Sequence, residues 1–195
     1  MSKGKELLEE LRWRGLIAQN TDEKALIEQL DKPTTVYLGI DPTAPSIHCG
    51  NLVVLLVLKR FQQFGHTPIA LVGGATGLVG DPSGRSEERS LNDESIVENW
   101  VNRIRTQVSK YLDFDSKTNG AIVVNNLDWT KGVSALHFLR DIGKHFSINQ
   151  MLSRDSVSSR LEAGGISYTE FSYQVLQGFD FLELFRRHNC TIQIG

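Results

Sequence analysis

The segment from residue 34 to residue 65 can fold in very few ways. Residues 34–40 are rich in β-branched residues (Thr34, Thr35, Val36, Ile40) and include Tyr37, which favours a strand. Pro42 and Pro45 then forbid its continuation. Residues 52–58 are seven apolar residues in succession, and they open a helical segment that Gly65 ends. A helix that is apolar nearly all round packs against a sheet. Residues 67–72 read as a second buried strand. Strand, turn, buried helix and strand in this order predict a parallel sheet with crossover helices, in which ligands bind at the carboxyl ends of the strands. Asp41 and the glycine-rich stretch from Gly73 fall at such ends, as does Asn126 after a third strand at residues 121–125.

The turn between the first strand and its helix carries His48-Cys49-Gly50-Asn51. His48 and Asn51 share one face of the first helical turn, where free backbone N–H groups and the helix dipole attract anions. A pair of small donors there suits nucleotide phosphates. Gly50 carries no side chain between them and leaves room for a flat base to approach the backbone.

The remaining elements are helices over residues 5–18, from Thr21 onward, over residues 93–111 and around residues 134–140, then a polar, flexible-looking stretch at 153–165. Ser167 and Glu170 form a capping box for a long helix reaching about Arg187. Asn189 closes it, and residues 190–194 form a strand. On that helix Tyr173, Gln177 and Asp180 stand on one face while Phe171, Val175, Leu176, Phe179 and Leu184 occupy most of the rest. Such a helix is buried, so its polar seam is expected to face an internal polar pocket.

Composition excludes several classes. A chain of 195 residues with 40% hydrophobic content supports one α/β domain, and a net charge of −2 provides no global field for nucleic acid. Two cysteines, Cys49 and Cys190, give no disulfide framework, and the acidic amino-terminal residues resemble neither a signal nor a transit peptide. The expected location is the cytoplasm, with no membrane attachment. His66, His137, His145 and His188 have no metal-ligand spacing with the cysteines, so no protein-bound metal is expected. The glycines fit neither phosphate-binding fingerprint. Val79 stands where a P-loop needs its first glycine and Arg85 where it needs lysine, while Gly74, Gly77 and Gly80 have the wrong spacing for a dinucleotide turn.

The short His-x-Gly-Asn turn resembles the His-x-Gly-His signature of the class I aminoacyl-tRNA synthetases and related nucleotidyltransferases. The longer pattern is more specific. Tyr37-x-Gly39-x-Asp41-Pro42-Thr43-Ala44, His48, Leu71-Val72-Gly73-Gly74-Ala75-Thr76-Gly77 and Gly80-Asp81-Pro82-Ser83-Gly84 together resemble the bacterial-type tyrosyl-tRNA synthetases over essentially all 195 residues. Asn51 departs from the signature's second histidine, keeping a donor but no charge.

The resemblance implies an α/β, Rossmann-like parallel sheet with flanking helices and a connective helical insertion. It further implies that residues 1–195 are the N-terminal part of the catalytic domain, ending before the second half of the nucleotide-binding fold. Residues of about 128–167 would form a dimer-making insertion. The Lys-Met-Ser-Lys-Ser loop, the anticodon-binding domain and the C-terminal RNA-binding module would lie beyond, so the chain alone is expected not to charge tRNA. The implied reaction joins L-tyrosine to ATP as tyrosyl-adenylate, releasing pyrophosphate, and then transfers tyrosyl to tRNA(Tyr). Magnesium would accompany ATP.

By the same resemblance Tyr37 and Asp180 bind the tyrosine hydroxyl. Tyr173, Gln177, Asp81 and Gln193 hold its ammonium group, and Asn126 lines the site. Gly39, Asp41, Thr43, His48, Gly50 and Asn51 meet ATP, and Arg85 and Arg89 clamp pyrophosphate. Ser86 replaces a basic residue often found between those arginines. A small-metabolite nucleotidyltransferase and a non-catalytic tyrosine-binding or dimerising fragment are the competing readings.

Overall fold

The computed structural model describes residues 2–82 and 93–195. The first helices are α1 (Lys3–Trp13) and α2 (Glu23–Leu30), capped by Ser2 and Asp22 side chains that accept from the amides of Lys5 and Ala25. Strand β1 (Thr35–Ile40), helix α3 (Cys49–Gln63) and strand β2 (Thr67–Val72) form the first crossover unit. A short helix α4 (Thr76–Val79) follows within the glycine-rich stretch. Then come α5 (Glu94–Val108), β3 (Ile122–Asn125) and α6 (Leu127–Thr130). Helix α7 (Ala135–His137) runs into a π turn at Phe138–Ile142 and a 3-10 turn at Gly143–His145. Helices α8 (Ile148–Leu152), α9 (Asp155–Ala163) and α10 (Tyr168–His188) lead to β4 (Cys190–Ile194).

Among the described residues the strands form one parallel sheet in the order β3-β2-β1-β4. The path runs from β1 to β2 to β3 in one direction, then crosses back so that β4 pairs on the other side of β1. The topological switch point therefore lies between β1 and β4, where open α/β sheets bind ligands.

Alternation along the strands distributes the core between two layers. Val36, Leu38 and Ile40 point to one face with Ala70 and Val72, against Leu7, Leu11, Leu55, Leu58, Val101 and Ile104 of α1, α3 and α5. Tyr37, Ile69 and Leu71 point to the other, against Trp129, Ile142, Met151, Val175, Phe179 and Leu184. Tyr37 is thereby aimed at α10, and so is the bare position of Gly39.

Several boundaries differ from expectation. The first helix stops at Trp13 rather than Ala18, because Gly15 turns the chain at φ +68°. The helix expected over residues 52–64 starts at Cys49, so the His-x-Gly-Asn turn runs directly into it. The stretch 153–165, read as flexible, holds helix α9, anchored by the fully buried Val157. Helix α10 ends as expected, at Asn189 in the left-handed conformation (φ 51°, ψ 36°). At its start Ser167 accepts from the Glu170 amide, while the Glu170 carboxylate pairs with Arg160. No helix among the described residues is long and apolar enough to cross a membrane.

Candidate active site

Helix α3 begins with a reciprocal cap made by the two signature residues. His48 has extended backbone, and its Nδ1 accepts from the Asn51 amide at 3.3 Å. Asn51 Oδ1 accepts from the His48 amide at 3.2 Å. Two orphan amides of the helix start are satisfied in this way. With Nδ1 an acceptor, neutral His48 carries its proton on Nε2, the nitrogen left to donate. The cap takes the Asn51 oxygen, so what Asn51 offers a ligand is its amide nitrogen. The space Gly50 clears is used differently from expectation. A Cβ there would stand 3.0 Å from the His48 ring, so the missing side chain accommodates the imidazole.

Beside this helix end lies a cleft of about 310 Å³ at the carboxyl ends of β1, β2 and β4. It brings together Tyr37, Gly39, Asp41, Thr43, His48, Asn51, Asp81, Tyr173, Gln177, Asp180 and Gln193. The sheet explains much of this convergence. Tyr37 and Gln193 are paired neighbours across β1 and β4. Gly39 leaves open space where a Cβ would stand. The seam of α10 supplies Tyr173, Gln177 and Asp180 from the facing layer.

Two hydrogen-bonded clusters organise the cleft. In the first, Tyr173 donates its hydroxyl to Asp41 Oδ2 at 2.8 Å, and Thr76 Oγ1 donates to Asp41 Oδ1 at 2.6 Å. In the second, Asp180 is 2% exposed and its two oxygens accept from Asn126 Nδ2 at 2.9 Å and Trp129 Nε1 at 2.8 Å. Asn126 joins the two clusters by a 3.0 Å bond from Nδ2 to Thr76 Oγ1, and its Oδ1 accepts from the Ala75 amide at 2.7 Å. The loop after β3 thus pins the glycine-rich loop after β2. Asn125 adds a further tie, accepting from the amides of Gly74 and Leu127.

The electrostatics follow from burial. Asp180 is pushed up to about 7, first by burial and then by the Asp41 charge, against the pull of its bonds from Asn126 and Trp129. The Tyr37 phenol is driven upward by burial and next by the Asp180 charge. Tyr173 is raised by burial and then by Asp41 and Asp81. Both tyrosines are therefore neutral donors at physiological pH. The Tyr37 hydroxyl is buried and has no hydrogen-bond partner among the described residues, and such a group calls for an explanation.

Asn126 stands behind the cleft wall, fully buried, so it supports Asp180 where a lining role was expected. Arg85 and Arg89 lie outside the described residues. Thr76 and Trp129 were missed. Thr76 sits in the Gly-Gly-Ala-Thr-Gly run, and a hydroxyl at a strand end was the available signal. Trp129 follows Asn126 by one helical turn, and an indole N–H that close to a buried carboxylate has no signature in sequence.

A parallel sheet with its cleft at the switch point, a helix amino end capped by His48 and Asn51, and a polar seam facing that end form the architecture of the class I synthetase type. The family model "tRNA synthetases class I (W and Y)" matches residues 29–195. The chain belongs to this family.

Among curated relatives it is 58% identical over 193 residues to the tyrosine–tRNA ligase of Acidothermus cellulolyticus, with 97% of the chain and 45% of the relative covered. It is 58% identical over 190 residues to that of Mycobacterium tuberculosis, with the same coverage. The chain therefore spans about half the length of these relatives. Among solved structures, a C-terminally truncated mitochondrial tyrosyl-tRNA synthetase from Aspergillus nidulans superposes with a TM-score of 0.87 at 33% identity, covering 97% of this chain and 56% of that one.

Proposed function

We propose that the cleft is the amino-acid-activating site of a tyrosine–tRNA ligase. The observation that carries this reading is the closed end of the cleft. There a buried tyrosine hydroxyl without a partner, Tyr37, shares a wall with an aspartate, Asp180, that is oriented by two donors. A phenolic hydroxyl entering between them accepts from Tyr37 and donates to Asp180, satisfying both. The ammonium end of the substrate then meets Tyr173, Gln177, Asp81 and Gln193. Its carboxylate is directed toward the amino end of α3.

In the reaction a tyrosine carboxylate oxygen attacks the α-phosphorus of ATP. The new O–P bond forms as the bond from the α-phosphorus to the β-phosphate bridging oxygen breaks, and pyrophosphate leaves with the electron pair. No protein nucleophile is needed, because positioning and charge stabilisation suffice. Gly39 and Asp41 border the carboxylate and α-phosphate. Thr43, His48 Nε2–H and the Asn51 amide donate to the phosphates beyond, each such donor being worth roughly 10²–10³ in rate. Arg85 and Arg89 complete the pyrophosphate clamp, and magnesium arrives with ATP as its counter-ion. Transfer to tRNA(Tyr) follows in the full-length cytoplasmic protein.

We assign residues of about 128–167 to a homodimer contact. Leu136 is 80% exposed, Ile148 57% and Tyr168, just beyond the segment, 68%, with Leu139, Leu152 and Leu161 exposed nearby. This run of exposed apolar residues within one segment supports an interaction surface there.

The test is ATP–pyrophosphate exchange by the full-length protein carrying this chain, with sedimentation of the same preparation. Exchange is expected with tyrosine and not with tryptophan or phenylalanine, from a dimeric species. Exchange driven equally by phenylalanine defeats the hydroxyl reading, and a strict monomer defeats the dimer.

A further inference from the structure

We propose that the buried ion pair between Arg160 and Glu170 is a positioning device for the amino-acid end of the cleft. It locks the first turn of α10 and thereby sets where Tyr173 and Gln177 stand. This rests on reading the cleft as an amino-acid site.

The pair is unusual for its cost. Arg160 Nη2 meets Glu170 Oε2 at 2.8 Å, and the two side chains are 5% and 1% exposed. Among the described residues Arg160 Nε and Glu170 Oε1 have no partner, so the pair is only partly satisfied. Two desolvated charges with incomplete hydrogen bonding are weak stabilisers compared with apolar packing. Stability alone therefore gives a poor account of them, whereas directionality gives a good one.

Their location supplies the rest. Arg160 belongs to α9 and Glu170 to the first turn of α10. Between the two helices the chain passes through Gly164 and Gly165, both at positive φ (143° and 109°). A glycine pair gives this link little stiffness of its own. Across it the Arg160–Glu170 pair forms a buried, directional bond. Glu170 is also the first member of the seam, since residues 170, 173, 177 and 180 follow at helical spacing on one face. Only one turn separates Glu170 from Tyr173, whose hydroxyl must reach Asp41 at 2.8 Å. A first turn free to fray or rotate would carry Tyr173 away from Asp41. Further along, Asp180 is held independently by Asn126 and Trp129, and Gly178 is packed beneath the Phe146 ring, where a Cβ would come within 2.6 Å. The far half of the seam is thus anchored by other contacts, while the near half has the Ser167 cap, the Gln174 bond to the Met151 carbonyl and the buried ion pair to Arg160.

The test compares Glu170→Gln with the double replacement Arg160→Met and Glu170→Met in the full-length protein. The double variant restores apolar packing without a directional bond, so it folds even if the single variant does not. In pyrophosphate exchange, KM for tyrosine is expected to rise about 10–100-fold, the scale of a displacement near 1 Å. KM for ATP should stay within about twofold, as expected when only one substrate's contacts are lost. Amide hydrogen exchange should quicken over residues 171–177 and not over 181–188. A folded variant with an unchanged tyrosine KM and unchanged protection overturns the proposal, as does a parallel rise in both KM values. If the unaltered protein shows no tyrosine-dependent exchange, the reading of the cleft has failed, and the amide protection pattern alone then decides the role of the pair.

Discussion

Asp180→Ala is expected to remove selection for a phenolic hydroxyl and to destabilise the fold at the same time. The stability loss follows from what the carboxylate holds. Asn126 Nδ2 and Trp129 Nε1 donate to it at 2.9 and 2.8 Å from fully or nearly fully buried positions. Each donor left unpaired costs about 1–3 kcal/mol, read as a lower urea midpoint. The binding loss is that of one hydrogen bond to a charged group, about 1.5–3 kcal/mol or roughly 10–150-fold in tyrosine affinity. Sites built around a substrate hydroxyl reject the analogue lacking it by roughly 10⁴–10⁵, tyrosyl-tRNA synthetase being itself the type case, and in the alanine variant that ratio should collapse. Undiminished rejection of phenylalanine would place the hydroxyl elsewhere.

Asp180→Asn removes the titration, and because its amide nitrogen leaves either Asn126 or Trp129 without an acceptor, the readout is the pH dependence of stability and not its absolute level. The folded carboxyl titrates at about 7, above its ordinary 3.8, because burial disfavours the anion. The folded state therefore holds this proton more tightly than the unfolded chain does. The group's contribution to stability is full below about pH 4 and is lost as pH rises through about 7. In the unliganded protein the asparagine variant should lack this decline. Parallel stability curves for the two proteins from pH 4 to pH 7 would contradict the assignment.

Gly73→Ala is expected to strike the other cluster just as hard. A Cβ at this position would fall on Asp41 Oδ1 and Thr76 Oγ1, the two atoms joined by the 2.6 Å bond. The backbone cannot yield easily, since the Gly73 amide bonds the Ile40 carbonyl at 3.0 Å. Asp41 must turn away, and Tyr173 loses its acceptor. Overpacking of this kind costs about 1–3 kcal/mol, and misplacing a binding group by about 1 Å costs up to about 10² in kcat/KM. Kinetics of the alanine variant with tyrosine and ATP varied separately would show the deficit on the tyrosine side. Unchanged tyrosine kinetics would mean that Asp41 and Tyr173 do not act together.

Much of this was legible from residue order because it depends on local rules. β-branched runs marked β1 and β2, proline and glycine marked the turns, and helical spacing put Tyr173, Gln177 and Asp180 on one seam. What escaped depends on contacts between segments distant in sequence. Asn126 was taken for a lining residue because nothing local shows that its amide turns back to bridge Asp180 and Thr76. Trp129 packs in the core, and nothing local signals that its indole N–H meets Asp180. Helix α9 was mistaken for a polar loop because its inward side is narrow, with Val157 at the centre and an arginine where an apolar residue would ordinarily stand. Only the matching acid on α10 makes that arginine readable. Residues 5–18 were overextended because their apolar stripe continues beyond the turn that Gly15 imposes.

The reciprocal cap on α3 acts as a chemical filter on position 51. Whatever stands there must accept from the His48 amide, and under the proposed reading of the cleft must still present a donor without negative charge to a triphosphate. Aspartate would satisfy the helix and repel the ligand, and lysine would do the reverse. Asparagine and histidine both meet the two demands, which makes them interchangeable spellings of one instruction. Asparagine has the further property of indifference to pH, so under that reading the donor it would lend to a nucleotide persists unchanged where a histidine would be gaining or losing a proton.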